Sequence, residues 1–164
     1  ISALVQNEPG VLAHVAGMFA ARGFNIDSLV VGRTEDPKLS RMTIVALGDD
    51  RVLEQVRKQL GKVVPVVRVR DFSETDHVQR DLMLLRVHAT AARRPEVVEL
   101  VNLFRGRVID VSRDTMMIEL SGPEDKLEAF IDLVRPYGIR ELARTGVIAM
   151  QRGSQKSAPT GAEE

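Results

Sequence analysis

A chain of 164 residues has room for one ordinary domain or two small ones. Its 23 Lys and Arg balance 23 Asp and Glu, which argues against a general polyanion binder. Cysteine is absent, excluding disulfides, thiolate metal sites and a cysteine nucleophile, and no run reaches the apolar length of a transmembrane helix.

Ile1 to Gln6 is a short apolar run that reads as a strand, and Asn7-Glu8-Pro9-Gly10 as the turn after it. Val11, Leu12, Val15, Ala16 and Phe19 then recur at helical spacing until Gly23. Pro9 fits the first helical turn, where a missing N–H costs nothing. Asn25 to Gly32 is the second strand, residues 34–38 a polar turn, and Leu39 to Leu47 the third strand. Asp49 is the expected cap of a second helix that carries Leu53, Val56 and Leu60 on one stripe and ends at Gly61. Val63 to Phe72 is the fourth strand, so the order is β-α-β-β-α-β.

Residues 73–76 are a polar break. The same order follows it: a strand from Arg80 to Ala89, a helix from Pro95 to Phe104, and a hairpin of Val108 to Ser112 with Thr115 to Ser121. A helix opened by Pro123 and a last strand or strands from Ile139 to Met150 complete the half. The halves share residues as well as order. Arg22-Gly23-Phe24-Asn25-Ile26-Asp27 parallels Arg105-Gly106-Arg107-Val108-Ile109-Asp110, and Leu53-Glu54 parallels Leu127-Glu128. The fold class is therefore α+β, with two ferredoxin-like βαββαβ domains at residues 1–73 and 77–152. Residues 153–164 lack a hydrophobic stripe and read as a disordered tail. Helices cover only one face of such a sheet, and each core is small, so self-association is expected.

No catalytic constellation is visible. His14, His77 and His88 have no metal-ligand spacing, and the glycines are too scattered to cradle a pyrophosphate. Arg22-Gly23-Phe24 begins like an RNA-recognition strand, but Ile26 and Leu29 stand where stacking aromatics belong. The turn at Asn7–Gly10 is more informative. The amides of Gly10, Val11 and Leu12 open a helix and suit a carboxylate. Asn7 offers a donor and an acceptor for the two ends of an amino acid, and Asn25 opens the next strand. Structural roles for Asn7, as a helix cap, and for Asn25, as a turn residue, fit the spacing too.

Five segments carry a resemblance. They are Asn7-Glu8-Pro9-Gly10-Val11-Leu12, Arg22-Gly23-Phe24-Asn25-Ile26-Asp27-Ser28-Leu29, Leu39-Ser40-Arg41-Met42-Thr43-Ile44, Phe104-Arg105-Gly106 with Ile109-Asp110-Val111, and Ala143-Arg144-Thr145-Gly146-Val147. Together they resemble the small regulatory subunit of acetolactate synthase, also called acetohydroxyacid synthase, over roughly residues 1–153. The resemblance implies an N-terminal ACT domain that senses amino acids and a second domain of similar plan. It implies a cytoplasmic, non-catalytic homodimer that binds a large catalytic subunit using thiamine diphosphate, Mg²⁺ and FAD. It would activate that subunit and confer feedback inhibition by valine in branched-chain amino-acid biosynthesis. The effector would lie between two ACT domains, with Asn7, Gly10, Val11 and Leu12 from one chain and Asn25 and Ile26 from the other. The alternative is a stand-alone ACT sensor not tied to this enzyme.

Overall fold

Residues 1–153 are described by a computed structural model. Its first half contains β1 (Ser2–Gln6), α1 (Val11–Ala21), β2 (Asn25–Arg33), β3 (Leu39–Leu47), α2 (Asp50–Leu60) and β4 (Val66–Arg70). The second contains β5 (His77–His88), α3 (Arg94–Leu103), β6 (Arg107–Val111), β7 (Thr115–Gly122), α4 (Glu124–Val134), β8 (Ile139–Arg144) and β9 (Ile148–Gln151). The first sheet is ordered β2-β3-β1-β4 and the second β6-β7-β5-β8, with every pairing antiparallel. Both halves thus place their second and fourth strands at the edges. Each also has a register shift near the start of its second strand, between Ile26 and Ser28 and between Val108 and Asp110.

Period-2 alternation puts one face of each sheet into a core. In the first half Ala3, Val5, Met42 and Ile44 meet Val11, Val15, Met18 and Phe19 of α1 and Val56 and Leu60 of α2. In the second, Met83, Leu85, Val87 and Ile118 meet Val97 and Val101 of α3 and Leu127, Phe130, Ile131 and Val134 of α4. The helical spacings of these residues are the ones that turn a single stripe inward.

The opposite face of the first sheet is not left to solvent. Ser2 and Thr43 are paired neighbours on that face, and both are buried, 2% and 4% exposed. The covering element comes from the second half. β5 is a long strand with two partners: residues 81–88 belong to the second sheet, while residues 77–80 pair with β9 in a two-stranded ribbon. A groove of about 510 Å³ remains between this ribbon and the first sheet, lined by Val30, Arg41, Thr43, Val78, Arg80 and Met150 among others.

Three boundaries differ from the pattern-based reading, each for a local reason. The strand expected over 63–72 is reduced to β4, because residues 61–64 turn back on α2 through Lys62 N–H to Gln59 O and Val63 N–H to Leu60 O, and Pro65 has no N–H. The break at 73–76 is anchored rather than loose: Phe72 is buried and stacks on His77 with ring centroids 5.3 Å apart. This packing lets β5 begin at His77 instead of Arg80. The last strand divides at residues 145–147, where Gly146 adopts φ +86°. The expectation for the tail falls on residues 154–164, outside the described residues, apart from Gly153.

The second helix starts as its sequence dictates, with the Asp49 carboxylate accepting from Val52 N–H at 2.9 Å. Asp49→Ala should cost about 1 kcal/mol of stability, read as a shift in the urea unfolding midpoint. Phe130 is fully buried and meets Phe104 edge-on at 5.3 Å. Phe130→Ala should cost about 3–5 kcal/mol on the same measurement.

Candidate functional site

The β1–α1 turn is built around Gly10. It is the N-cap of α1, in a left-handed conformation with φ +86° and ψ −14°, and no side chain caps the helix. Pro9 therefore lies one residue ahead of the cap, outside the helix. The space where a Cβ would sit on Gly10 is open, so glycine is required here by backbone conformation and not by crowding. Val11 N–H reaches Glu8 O only at 3.5 Å, and His14 N–H closes the first regular turn onto Gly10 O at 3.0 Å. The N–H groups of Gly10, Leu12 and Ala13 have no acceptor among the described residues. They form a donor-rich pole at a helix N-terminus, bordered by an open glycine.

Asn7 does not cap α1. Its Nδ2 donates to Pro37 O at 3.0 Å, its Oδ1 accepts from the Ser40 hydroxyl at 3.2 Å, and its own N–H donates to Lys38 O at 2.7 Å. The β1–α1 turn is thereby tied to the β2–β3 hairpin. A carboxamide has two N–H groups and two acceptor positions, so one of each is left after these bonds. Asn7 thus positions the turn and still presents polar capacity beside it.

Asn25 and Ile26 lie elsewhere. Gln6 pairs with Leu39 and Arg33 with Ser40, which sets the Asn7 end of the sheet. Asn25 pairs with Leu47 at the other end of β3. Between the Ser40 and Leu47 levels the strand advances roughly 24 Å. One chain therefore brings together Asn7, Gly10, Val11 and Leu12 but holds Asn25 and Ile26 at the far end of the same sheet. Asn25 is exposed, whereas Ile26 is half-buried against the first core.

β2 is an edge strand, so its outer backbone groups are available to a neighbour. If two β2 edges run antiparallel about a two-fold axis, the start of one β2 is carried to the Asn7 end of the other sheet. The two sets of residues then meet across copies.

The histidines are scattered. His14 is on the exposed side of α1, His77 places Nδ1 2.7 Å from Thr75 O, and His88 is in the second sheet. Among the described residues, no group of three or more His, Asp and Glu is arranged to hold a metal ion, and no helix is long and apolar enough to cross a membrane.

Residues that sequence reasoning assigned no role also meet here. Ser28 of β2 accepts a hydrogen bond from Val147 N–H at 3.2 Å, joining the candidate strand to the second half. The sequence signals were two of the resemblance segments, Arg22–Leu29 and Ala143–Val147, which periodicity alone could not connect to each other.

Comparison with known proteins agrees with this architecture. The family model "Small subunit of acetolactate synthase" matches residues 80–153, and "AHAS small subunit-like ACT domain" matches residues 1–68. The probable acetolactate synthase small subunit of Archaeoglobus fulgidus is 59% identical over 156 residues, covering 95% of this chain and 98% of that protein. The acetolactate synthase small subunit of Mycolicibacterium smegmatis is 48% identical over 153 residues, covering 93% and 90%. The crystal structure of the small subunit from Thermotoga maritima superposes with a TM-score of 0.84 at 46% identity, covering 92% of this chain and 94% of that one. The chain belongs to the acetolactate synthase small-subunit family, with an N-terminal ACT domain.

Proposed function

We propose that this protein is a cytoplasmic, non-catalytic regulatory subunit that activates a large acetolactate synthase subunit and makes it subject to feedback inhibition by valine. The thiamine diphosphate, Mg²⁺ and FAD belong to that large subunit. The observation that carries the effector site is the separation of its two halves along one sheet: the donor-rich turn is at one end of β3 and Asn25 at the other. The edge position of β2 supplies the means of joining them through a second copy.

In this arrangement the effector's carboxylate faces the free amides at the start of α1, and the remaining polar capacity of Asn7 faces its ammonium group. Asn25 and Ile26 of the second copy form the opposite wall. Feedback by a metabolite at roughly 10 µM to 1 mM needs about −4 to −7 kcal/mol of binding free energy. A carboxylate at a helix N-terminus supplies about 0.3–2 kcal/mol. Charge-assisted hydrogen bonds supply about 1.5–3 kcal/mol each. Burial of a valine side chain supplies about 1.5–3 kcal/mol. These terms are sufficient after ordering and desolvation costs.

Regulation follows if valine binds one arrangement of the small-subunit dimer more tightly than another. Only that differential affinity can shift the balance, and subunit arrangement must in turn alter valine affinity by the same factor.

The two-chain site makes an unusual mixing experiment possible. Asn7→Ala and Asn25→Ala, each combined with the large subunit, should both abolish valine inhibition while leaving activation intact. Co-refolding the two variants together should restore about a quarter of the sites, because each mixed dimer then holds one intact site and one doubly altered one. Calorimetry with valine, leucine and isoleucine should show that partial recovery. Absence of recovery in the mixture would place both asparagines in one chain's site, and retained inhibition in either single variant would remove that residue from the site.

A further inference from the structure

The second domain touches the first at a point whose construction is unusually constrained. Asp81 stands in β5 where the strand passes from the ribbon into the second sheet, and its side chain is only 1% exposed. Its carboxylate accepts from Arg144 Nε at 2.7 Å, from the Thr145 hydroxyl at 3.1 Å and from Gly146 N–H at 3.2 Å. Arg144 also faces Glu124 and Glu128 of α4. Burial works to lower the Arg144 pKa, but hydrogen bonds and charge from Asp81 and Glu128 outweigh it and hold the guanidinium firmly protonated. Thr145 is bonded twice to Leu82 as well, its backbone N–H donating to Leu82 O at 3.0 Å and its side-chain hydroxyl oxygen accepting from Leu82 N–H at 3.1 Å. The segment 144–146 is thereby fixed to β5.

What this fixed segment presents to the first domain is a glycine and an amide. Val147 is buried, and its N–H donates to the Ser28 hydroxyl. A Cβ on Gly146 would come within 2.5 Å of Ser28 Oγ and 3.0 Å of Val30 Cγ2. Gly146 also holds φ +86°, so it is constrained twice, by backbone conformation and by the approach of β2. Ser28 and Val30 pair with Val45 and Thr43, on the sheet face that the second domain covers. Ser28 comes two positions after Ile26, just past the register shift in the strand that starts with Asn25.

We infer that the Ser28–Gly146–Val147 contact is the joint through which effector binding at β2 sets the position of the second domain, making Ser28 and Gly146 coupling residues of the regulation and not effector ligands. This rests on the effector site described under Proposed function. Ser28 lies three residues from Asn25, just past the register shift that interrupts the pairing of β2 with β3, so a ligand and a second copy acting at Asn25 and Ile26 displace Ser28 through the strand itself. The 144–146 segment is locked to β5 and α4, so displacement of Ser28 is passed to the second domain as a body. Coupling then resides in a specific contact that two sites bias, not in proximity alone.

The test uses the reconstituted holoenzyme and, separately, the small subunit alone with valine in a calorimeter. Ser28→Ala removes one half-buried hydroxyl and its bond from Val147 N–H, and should leave folding, activation and valine affinity within about twofold of the parent, while inhibition at saturating valine falls by roughly half or more. Gly146→Ala should uncouple in the same sense from the other side of the joint, and Ser28→Ala should partly relieve its thermal destabilisation by removing the hydroxyl its methyl group would strike. If both variants bind valine and are inhibited as the parent is, the joint is rejected while the effector site stands. If Ser28→Ala loses affinity in proportion to inhibition, Ser28 is a ligand and the coupling assignment fails. If the parent itself neither binds valine nor responds to it, the underlying reading of the site fails, and the joint falls with it.

Discussion

The constraint on which the rest depends is the antiparallel register of the first sheet. β1 leads upward into the Asn7–Gly10 turn, β3 runs down, and β2 reaches its first residue at the lower end. No adjustment of side chains brings Asn25 to Gly10 within one chain, because the separation is set by strand rise. A site that needs both must be assembled by symmetry, and the edge position of β2 allows that. Under the proposed function, regulation and oligomerisation become one physical event: with a ligand in that seam, whatever alters the seam would alter affinity, and the converse would hold by linkage.

The two domains share a plan but divide the work. The first has a free helix pole and an exposed edge strand near its helix-bearing layer. The second invests its long strand β5 in two structures, a sheet and a ribbon, and uses the ribbon side to cover the face that α1 and α2 leave open. The Asp81–Arg144 pair, with its carboxylate buried and its guanidinium partly exposed, occurs where β5 changes partners. An ion pair with a buried partner is a weak source of net stability, since desolvation offsets much of the attraction. Its geometric effect is clearer here: it fixes the backbone of residues 144–146, and through them the angle at which the second domain meets β2.

Local physics made most of the elements legible in the sequence. The Asp49 cap, the Val11–Phe19 stripe and the alternation of Met83, Leu85 and Val87 each announce their element through neighbours a few residues away. Pro65 and the turn before it shortened β4 because a hydrophobic run does not reveal where backbone bonding switches from helix end to sheet. The candidate turn was visible for the same local reason, a glycine at a helix start. Its setting was not. The bonds from Asn7 to Pro37 and Ser40 join segments about thirty residues apart, and the Ser28–Val147 bond spans 119 positions. Neither spacing nor composition encodes such pairs. Gly146 shows the same limit: its sequence suggests a turn, while its reason for being glycine lies in the distant strand it approaches.

The absence of cysteine allows the central claim to be examined without background chemistry. Glu8→Cys and Asn25→Cys, made in separate chains and mixed under mild oxidation, should give a disulfide-linked mixed dimer, identified by mass spectrometry of the joined peptides. A cross-link between these two positions on different chains is the predicted result. If the mixture instead yields only cross-links between identical positions, or none while the protein remains dimeric, the two halves of the site do not meet across copies and the account is contradicted.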